Sequence, residues 1–347
     1  MAKYKHKLEV LFNCINSDTV YDGIIYHSKK VIDHVTVKTD TIIIEFERSS
    51  KKKKEEILDS PKSNIREHLQ KALCFYLATQ GTIPDVKDIV YTCGDNAVSM
   101  PHEHFAATWK NCDITITLPV ENAGVIFKHY DNSEEKVFYA VITHFLKAQL
   151  DNFSHDRFRS AWSTLNALYT YIDALSNDGY RSEEEKISTL RSVIDNNDMF
   201  SAVSLINELG NSDFWERLSW YHEFNVLTEK QMRKLFSGGV YNDTELLKCF
   251  YKYLCGIQKL EEAHPDLCRE FEAKIKKRKI IRPKDKLKFI VCKYCYDKRN
   301  VSYHAQIPYP VFVISDEAET SIEQVLTEIV LLTVKDLFAI YSAKLNS

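Results

Sequence analysis

The chain is poor in turn formers. Nine glycines and eight prolines among 347 residues are about half the usual share, which favours long helices over many short strands. Long hydrophobic runs are also missing. No stretch approaches the ~18–20 apolar residues that a bilayer span needs, so no membrane association is expected. Excess positive charge is absent: the formal net charge is -3. That excludes coating nucleic acid through bulk charge and leaves room only for a local basic patch. Nine cysteines, an odd number without framework spacing, fit a reducing compartment, so the expected location is cytoplasmic. The start, Met1–Glu9, is basic but has no apolar run behind it, so a secretory leader is not expected. No HExxH, P-loop or GxGxxG stands in the chain, and no cofactor is expected.

What is present is a globular composition, 44% hydrophobic and 27% charged. The length suggests about two domains. Residues 1–133 read as a mixed, strand-containing domain. Val31–Glu47 alternates toward a β-branched run, Val35–Glu47, and looks like two strands joined at Thr39-Asp40. Ile89–Cys93, Asp113–Leu118 and Gly124–His129 are shorter strand candidates, and Asn64–Thr79 has helical spacing. Residues 134–347 read as all-helical. Glu134–Leu150 is followed by a helix capped at Asp156, with Phe158, Trp162, Leu165, Tyr169 and Ile172 in one apolar stripe. Further helices are predicted over Ser182–Asp195, Ser201–Glu208, Phe214–Phe224, Thr228–Phe236, Asp243–Ile257 and Leu260–Lys279. Another starts at Pro283, with Leu287, Ile290, Val291, Tyr294 and Cys295 inward, and ends before Pro308 and Pro310. Ser321–Ala343 is the last. The expected fold class is α+β.

At the end of the Pro283 helix stands Arg299-Asn300-Val301-Ser302-Tyr303-His304. It resembles the signature of the HEPN superfamily: Arg, a polar residue, a short spacer and His before a final core helix. The segment Phe158–Tyr169 resembles an early core helix of such domains. The resemblance covers roughly the last 60% of the chain and implies a HEPN-like all-helical bundle. It further implies an endoribonuclease that needs no metal, in which the ribose 2′-hydroxyl attacks the adjacent phosphate and leaves a 2′,3′-cyclic end. Such architectures serve as toxins or in antiviral defence. The N-terminal domain would then sense or recruit a regulatory protein or phage trigger.

These residue types suit that chemistry. Histidine moves protons near neutral pH. Arginine stays charged and offers a planar fork to two phosphate oxygens. Asn300 could orient His304 or bind a phosphate oxygen, since its amide both donates and accepts. Five residues on a regular helix turn through about 500°, leaving roughly 140° between the Arg299 and His304 side chains. Either the helix ends between them or the site draws on two chains. The family precedent favours the second, so a homodimer with a composite site is expected. A rival motif, Arg217-Leu-Ser-Trp-Tyr-His222, lacks the polar residue after Arg and reads as an ordinary helix.

Lys274–Lys288 carries nine basic residues and one acid. It is either an RNA-backbone track, with Lys276, Lys277, Arg278, Lys279 and Arg282 as its contacts, or a solvated helix end. Lys51–Lys54 reads as a solvated loop. Cys292-Lys-Tyr-Cys295 is a lone CxxC, for which Cys255 and Cys268 do not supply the second pair of a structural zinc, so it reads as core. His102-Glu-His104 could hold a metal but reads as a loop, and Gly81 and Gly238-Gly239 read as turns. Toxins silenced by a partner nucleotidyltransferase have a tyrosine two residues after the histidine. Here that position is Gln306, so that control is not expected. The alternative function is a non-catalytic helical module that binds a protein or nucleotide. A third, an enzyme sited in the N-terminal domain, has only His102 and His104 behind it.

Overall fold

The computed structural model describes residues 4–28, 31–52, 57–58, 60, 63–101, 112–127, 134–177, 179–210, 213–218, 227–237, 240–257, 259–303 and 317–346. The fold is α+β. A six-stranded antiparallel sheet comes first, and the later chain is mostly helical. Two compact units form: residues 1–152 with 338–347, and residues 153–337. Glu134–Leu150 thus belongs to the first unit, although its sequence groups it with the later helices.

The sheet has strands β1 (Tyr4–Phe12), β2 (Thr19–His27), β3 (Ile32–Lys38), β4 (Thr41–Arg48), β5 (Val86–Cys93) and β6 (Asn96–Met100), in the order β2-β3-β4-β1-β5-β6. β3 and β4 form the expected hairpin about Thr39-Asp40. β1, whose composition gives little sign of a strand, alternates strictly. His6, Leu8, Val10 and Phe12 are buried while Lys5, Lys7, Glu9 and Leu11 are not, the period of a strand with one covered face. On that inner face lies α1 (Asn64–Gln80). It is capped by the Ser63 side chain and stopped by Gly81 at φ 84, whose N–H donates to the Leu77 carbonyl at 2.9 Å. Helix α2 (Glu134–Leu150) packs on α1.

Two expected strands are absent. Gly124–Phe127 is a buried 3₁₀ turn, as a short apolar run permits; residues 128 and 129 lie outside the described ones. Asp113–Leu118 keeps only an isolated bridge, from Asp113 to Thr82. The Gln149 side chain takes the place of a partner strand. Its Oε1 accepts from the N–H groups of Thr115 (3.2 Å) and Ile116 (2.9 Å), and its Nε2 donates to the Ile116 carbonyl at 3.1 Å.

The inner face also holds a buried polar knot. Asp33 is fully buried and accepts from both Arg48 Nη atoms at 2.7 Å, with His68 Nε2 at 3.1 Å. Burial opposes its ionisation, but Arg48 and His68 outweigh that and hold the carboxyl below its ordinary value. Nearby, His6 Nδ1 lies 2.7 Å from the Tyr91 hydroxyl, and the His6 ring stacks on Phe46.

The helical unit contains α3 (Ser154–Ser176), α4 (Glu183–Asn196), α5 (Phe200–Leu209), α6 (Phe214–Arg217), α7 (Glu229–Phe236), α8 (Thr244–Ile257), α9 (Leu260–Ala263), α10 (Pro265–Lys277), α11 (Pro283–Phe289), α12 (Cys295–Tyr303) and most of α13 (Glu317–Asn346). All five residues of the predicted α3 stripe are at most 2% exposed. Its cap is Phe153 rather than Asp156, which sits in the first turn. Capping boxes start α4 at Ser182 and α7 at Thr228. The helix expected over Leu260–Lys279 is broken at His264, because Pro265 keeps the residue before it out of helical backbone. The helix expected over Phe214–Phe224 stops at Arg217, with Leu218 at ψ 129. Between α11 and α12, residues Ile290–Tyr294 form a π turn, so the chain is helical from Pro283 to Tyr303 but not regular. Among the described residues no helix is long and apolar enough to cross a membrane.

Replacing Asp33 by Ala leaves the Arg48 guanidinium without its anion, at an expected cost of about 3 kcal/mol. Because the folded-state value lies below the ordinary 3.8, the carboxylate stabilises the sheet at neutral pH. That contribution fades as pH falls through the folded value. Amide hydrogen exchange of β1, β3 and β4 should therefore accelerate in Asp33→Ala at pH 7, and the gap between variant and parent should narrow in acid.

Candidate functional site

The helix that carries the arginine motif begins at Pro283, which suits a first helical position. Its inward residues Leu287, Ile290, Val291, Tyr294 and Cys295 are all at most 2% exposed. The CxxC cysteines are thus core residues, and burial pushes the Cys292 thiol up to about 12. The π turn sits in the middle. It advances the next helical segment by one residue, about 100°, relative to an uninterrupted α-helix. Arg191 Nη2 donates to the Cys292 carbonyl within it at 3.3 Å. Beyond it, ion pairs hold α12. Lys293 lies 2.5 Å from Asp297, and Lys298 lies 3.1 Å from the buried Glu323, which also accepts from Ser154 Oγ at 3.0 Å.

Arg299 and Asn300 come next on α12, both half-buried. Arg299 Nη1 donates to Asn300 Oδ1 at 2.8 Å. With that oxygen engaged, the amide NH₂ is what Asn300 has left to offer, so the two side chains together present N–H donors. The Arg299 charge also reaches Tyr169 on α3. Burial, then the hydrogen bond from the Tyr169 hydroxyl to Glu183, push that phenol far above its ordinary value and keep it protonated. Tyr296 and Trp162 complete an aromatic cluster beside it, with ring centroids 6.2 Å apart. α12 stays helical through Tyr303, so the helix does not end before that residue. His304 lies outside the described residues, as do His222, His102, His104, Gln306, Pro308, Pro310 and Gly238-Gly239. The rival Arg217 is tied to Ser321 Oγ at 2.6 Å.

A histidine that motif reading misses is His155, near the start of α3. Burial lowers its pKa, against the pull of Glu323 and Asp156. Its link to Glu323 and Lys298 spans well over a hundred residues, so no local pattern announces it.

The basic run divides into two populations. Lys286 and Lys288 are 7% and 5% exposed. Lys288 lies 2.8 Å from Asp195 and 2.9 Å from Asp285, while Lys286 lies 3.7 Å from the fully buried Asp243. Burial works against the Lys288 charge, but the two carboxylates raise its pKa overall. Lys274 and Lys276 pair with Glu270 and Glu272 one turn back. Lys277, Lys279 and Arg282 are exposed, and no carboxylate among the described residues pairs with them. Lys276, Arg278 and Lys279 line a groove of about 380 Å³ that Lys248 and Thr244 share. Arg282 and Arg299 are separated by the length of α11 to α12, about 25 Å at 1.5 Å per residue, and the groove is lined by α8, α10 and the residues that follow α10 rather than by the motif helix. In the first unit a wider groove, about 560 Å³, crosses the sheet beside Lys5, His27, His34, Glu45 and Glu47.

The two lysine populations predict different sensitivities. Asp285→Ala takes away one of the two carboxylates of Lys288 and the acceptor of the Asn242 N–H, and should cost the helical unit about 3 kcal/mol. Lys279→Ala should change stability by less than about 0.5 kcal/mol. Urea unfolding followed by tryptophan fluorescence checks both.

Comparison with protein-family models, curated proteins and solved structures finds no match for this chain.

Proposed function

We propose that the chain is a metal-independent endoribonuclease of the HEPN type, acting in the cytoplasm as a toxin or antiviral effector. The observation that carries this reading is the Arg299–Asn300 pair. The Arg299 guanidinium donates to its neighbour's amide oxygen, which sets two groups rich in N–H donors side by side. Such a pair suits the non-bridging oxygens of a phosphodiester, where charge builds as a fifth oxygen attacks.

In the proposed reaction His304 takes the proton of a ribose 2′-hydroxyl. The oxygen attacks the adjacent phosphorus, Arg299 and Asn300 stabilise the developing charge, and the 5′-oxygen leaves with a proton. The products are a 2′,3′-cyclic phosphate and a 5′-hydroxyl. α12 is helical through Tyr303, and were it to run one residue further, His304 would stand about 140° from Arg299. A second copy of the chain would therefore supply the complementary half of each site, and the active species is a homodimer. The cationic groove would hold the RNA backbone through Lys276, Lys277, Arg278, Lys279 and Arg282. The sheet-bearing unit would receive the regulatory protein or phage trigger.

In chelator, wild-type chain should cleave single-stranded RNA to cyclic-phosphate ends. Arg299→Ala and His304→Ala should each lower the rate by about 10²–10⁴-fold, and Asn300→Ala by about tenfold. Cleavage that survives His304→Ala and is lost in His222→Ala would move the site to the rival motif. Unchanged cleavage in both, or none in any form, would leave the non-catalytic helical module.

Charge removal in the groove gives a separate readout. Neutralising Lys277, Lys279 and Arg282 together should weaken RNA binding. It should also flatten the log–log salt dependence by about 2, from about 0.7 for each single-strand phosphate contact. A fluorescence-anisotropy titration over a salt series measures it, and a slope unchanged from wild type rejects the track.

A further inference from the structure

Thirteen residues separate Cys255, near the end of α8, from Cys268, on α10, a spacing that no metal motif announces. The turn between them closes that gap. Lys259 stands at φ 47, the one non-glycine at positive φ among the described residues. It reverses the chain into the short α9, and its carbonyl accepts from the N–H groups of Glu262 and Ala263 at 2.9 and 3.0 Å. His264 N–H then donates to the Leu260 carbonyl at 2.8 Å, and Cys268 N–H to the His264 carbonyl at 3.1 Å. Helix α10 is thereby folded back against α8. The result brings Cys255 Sγ, Cys268 Sγ and a carboxylate oxygen of Glu261 within 4.8 Å of one another.

We propose that Cys255, Glu261 and Cys268 form a three-donor site for one divalent cation of the zinc class, with a fourth position open to solvent. Two thiolates and a carboxylate are a donor set that zinc takes readily and that magnesium and calcium do not. In tetrahedral coordination the donors stand about 3.5–3.8 Å apart, given zinc–sulfur and zinc–oxygen distances of ~2.3 and ~2.0–2.2 Å. The present spacing needs a contraction of about 1.3 Å at most. Glu261 is exposed and Cys255 half-buried, so the exposed carboxylate can make that move.

The partners of the thiols fit the same reading. The Tyr251 hydroxyl donates to Glu272 Oε1 at 2.8 Å and lies 2.8 Å from Cys268 Sγ. With its own proton given to Glu272, the tyrosine oxygen is left to accept from the thiol. On binding, each S–H loses its proton to solvent and forms a bond to the cation, and Tyr251 turns from acceptor into a neighbour that can donate to the bound sulfur. A disulfide would use the two sulfurs and leave Glu261 without a part.

The test uses the full chain, reduced and stripped of metal, titrated with cobalt(II) and then zinc(II). One equivalent should bind, with thiolate-to-cobalt charge-transfer absorption, and two of the nine cysteines should become protected from a thiol reagent. Glu261→Gln, at an exposed position, and Cys255→Ser should each weaken binding by at least about tenfold, while Cys14→Ser should not. Circular dichroism confirms that each variant is folded. Failure to bind one equivalent overturns the proposal, as does binding unaltered in both Glu261→Gln and Cys255→Ser. So does loss of two titratable thiols with the mass change of a disulfide and no bound metal.

Discussion

Everything on the helix from Pro283 to Tyr303 depends on how its first turns are moored. Asp285 and Asp243 do the mooring, and both are buried. Asp285 accepts the Asn242 N–H at 2.6 Å and faces Lys288. Asp243 accepts the Leu246 N–H, capping α8, and the Arg282 N–H at 2.7 Å, and it faces Lys286. Two buried carboxylates thus fasten the start of α11 to the start of α8 through backbone donors as well as charge. Buried ion pairs contribute little net stability against apolar residues of the same shape, but removing one partner is costly. Their effect here is positional: they fix where α11 begins.

That mooring also decides what the basic run can do. Fifteen residues read as one cationic stretch in the sequence, yet Lys284, Lys286 and Lys288 face carboxylates of the same unit. Those charges are committed to the fold. The part from Lys277 at the end of α10 to Arg282 before α11, with Arg278 and Lys279 on its groove, remains available to a polyanion. Local charge density in a sequence therefore overstates the electrostatic footprint wherever the run enters a helix with a buried face.

The α+β class, the β3–β4 hairpin, the α3 stripe and the helix starts at Ser182 and Thr228 were legible because each rests on short-range pattern: period 2 or period 3.6. β1 was not read as a strand: its lysines and Glu9 disguise an alternation whose other face is buried. What could not be read depends on distant partners. Asp113–Leu118 looks like a strand, but its backbone pairs with the Gln149 side chain at Thr115 and Ile116 and with the carbonyls of Gly81 and Ala78 at Ile114 and Leu118. The π turn at Ile290–Tyr294 leaves the apolar pattern of α11 intact and shifts only α12 beyond it. Cys255 and Cys268 are neighbours because of a left-handed Lys259 that nothing in its side chain requires.

The motif shows the same limit at its sharpest. Five residues on a helix cannot bring two side chains to one phosphate, and the helix keeps its course through Tyr303. The π turn lies before Arg299, so it re-aims the whole of α12 without changing the angle between Arg299 and the residues after it. Among the described residues the irregular turn falls before the motif, so Arg299 to Tyr303 keep helical spacing. Were that helix to run one residue further, the spacing would call for an arginine and a histidine from different helices, and symmetry provides a second copy without any new sequence.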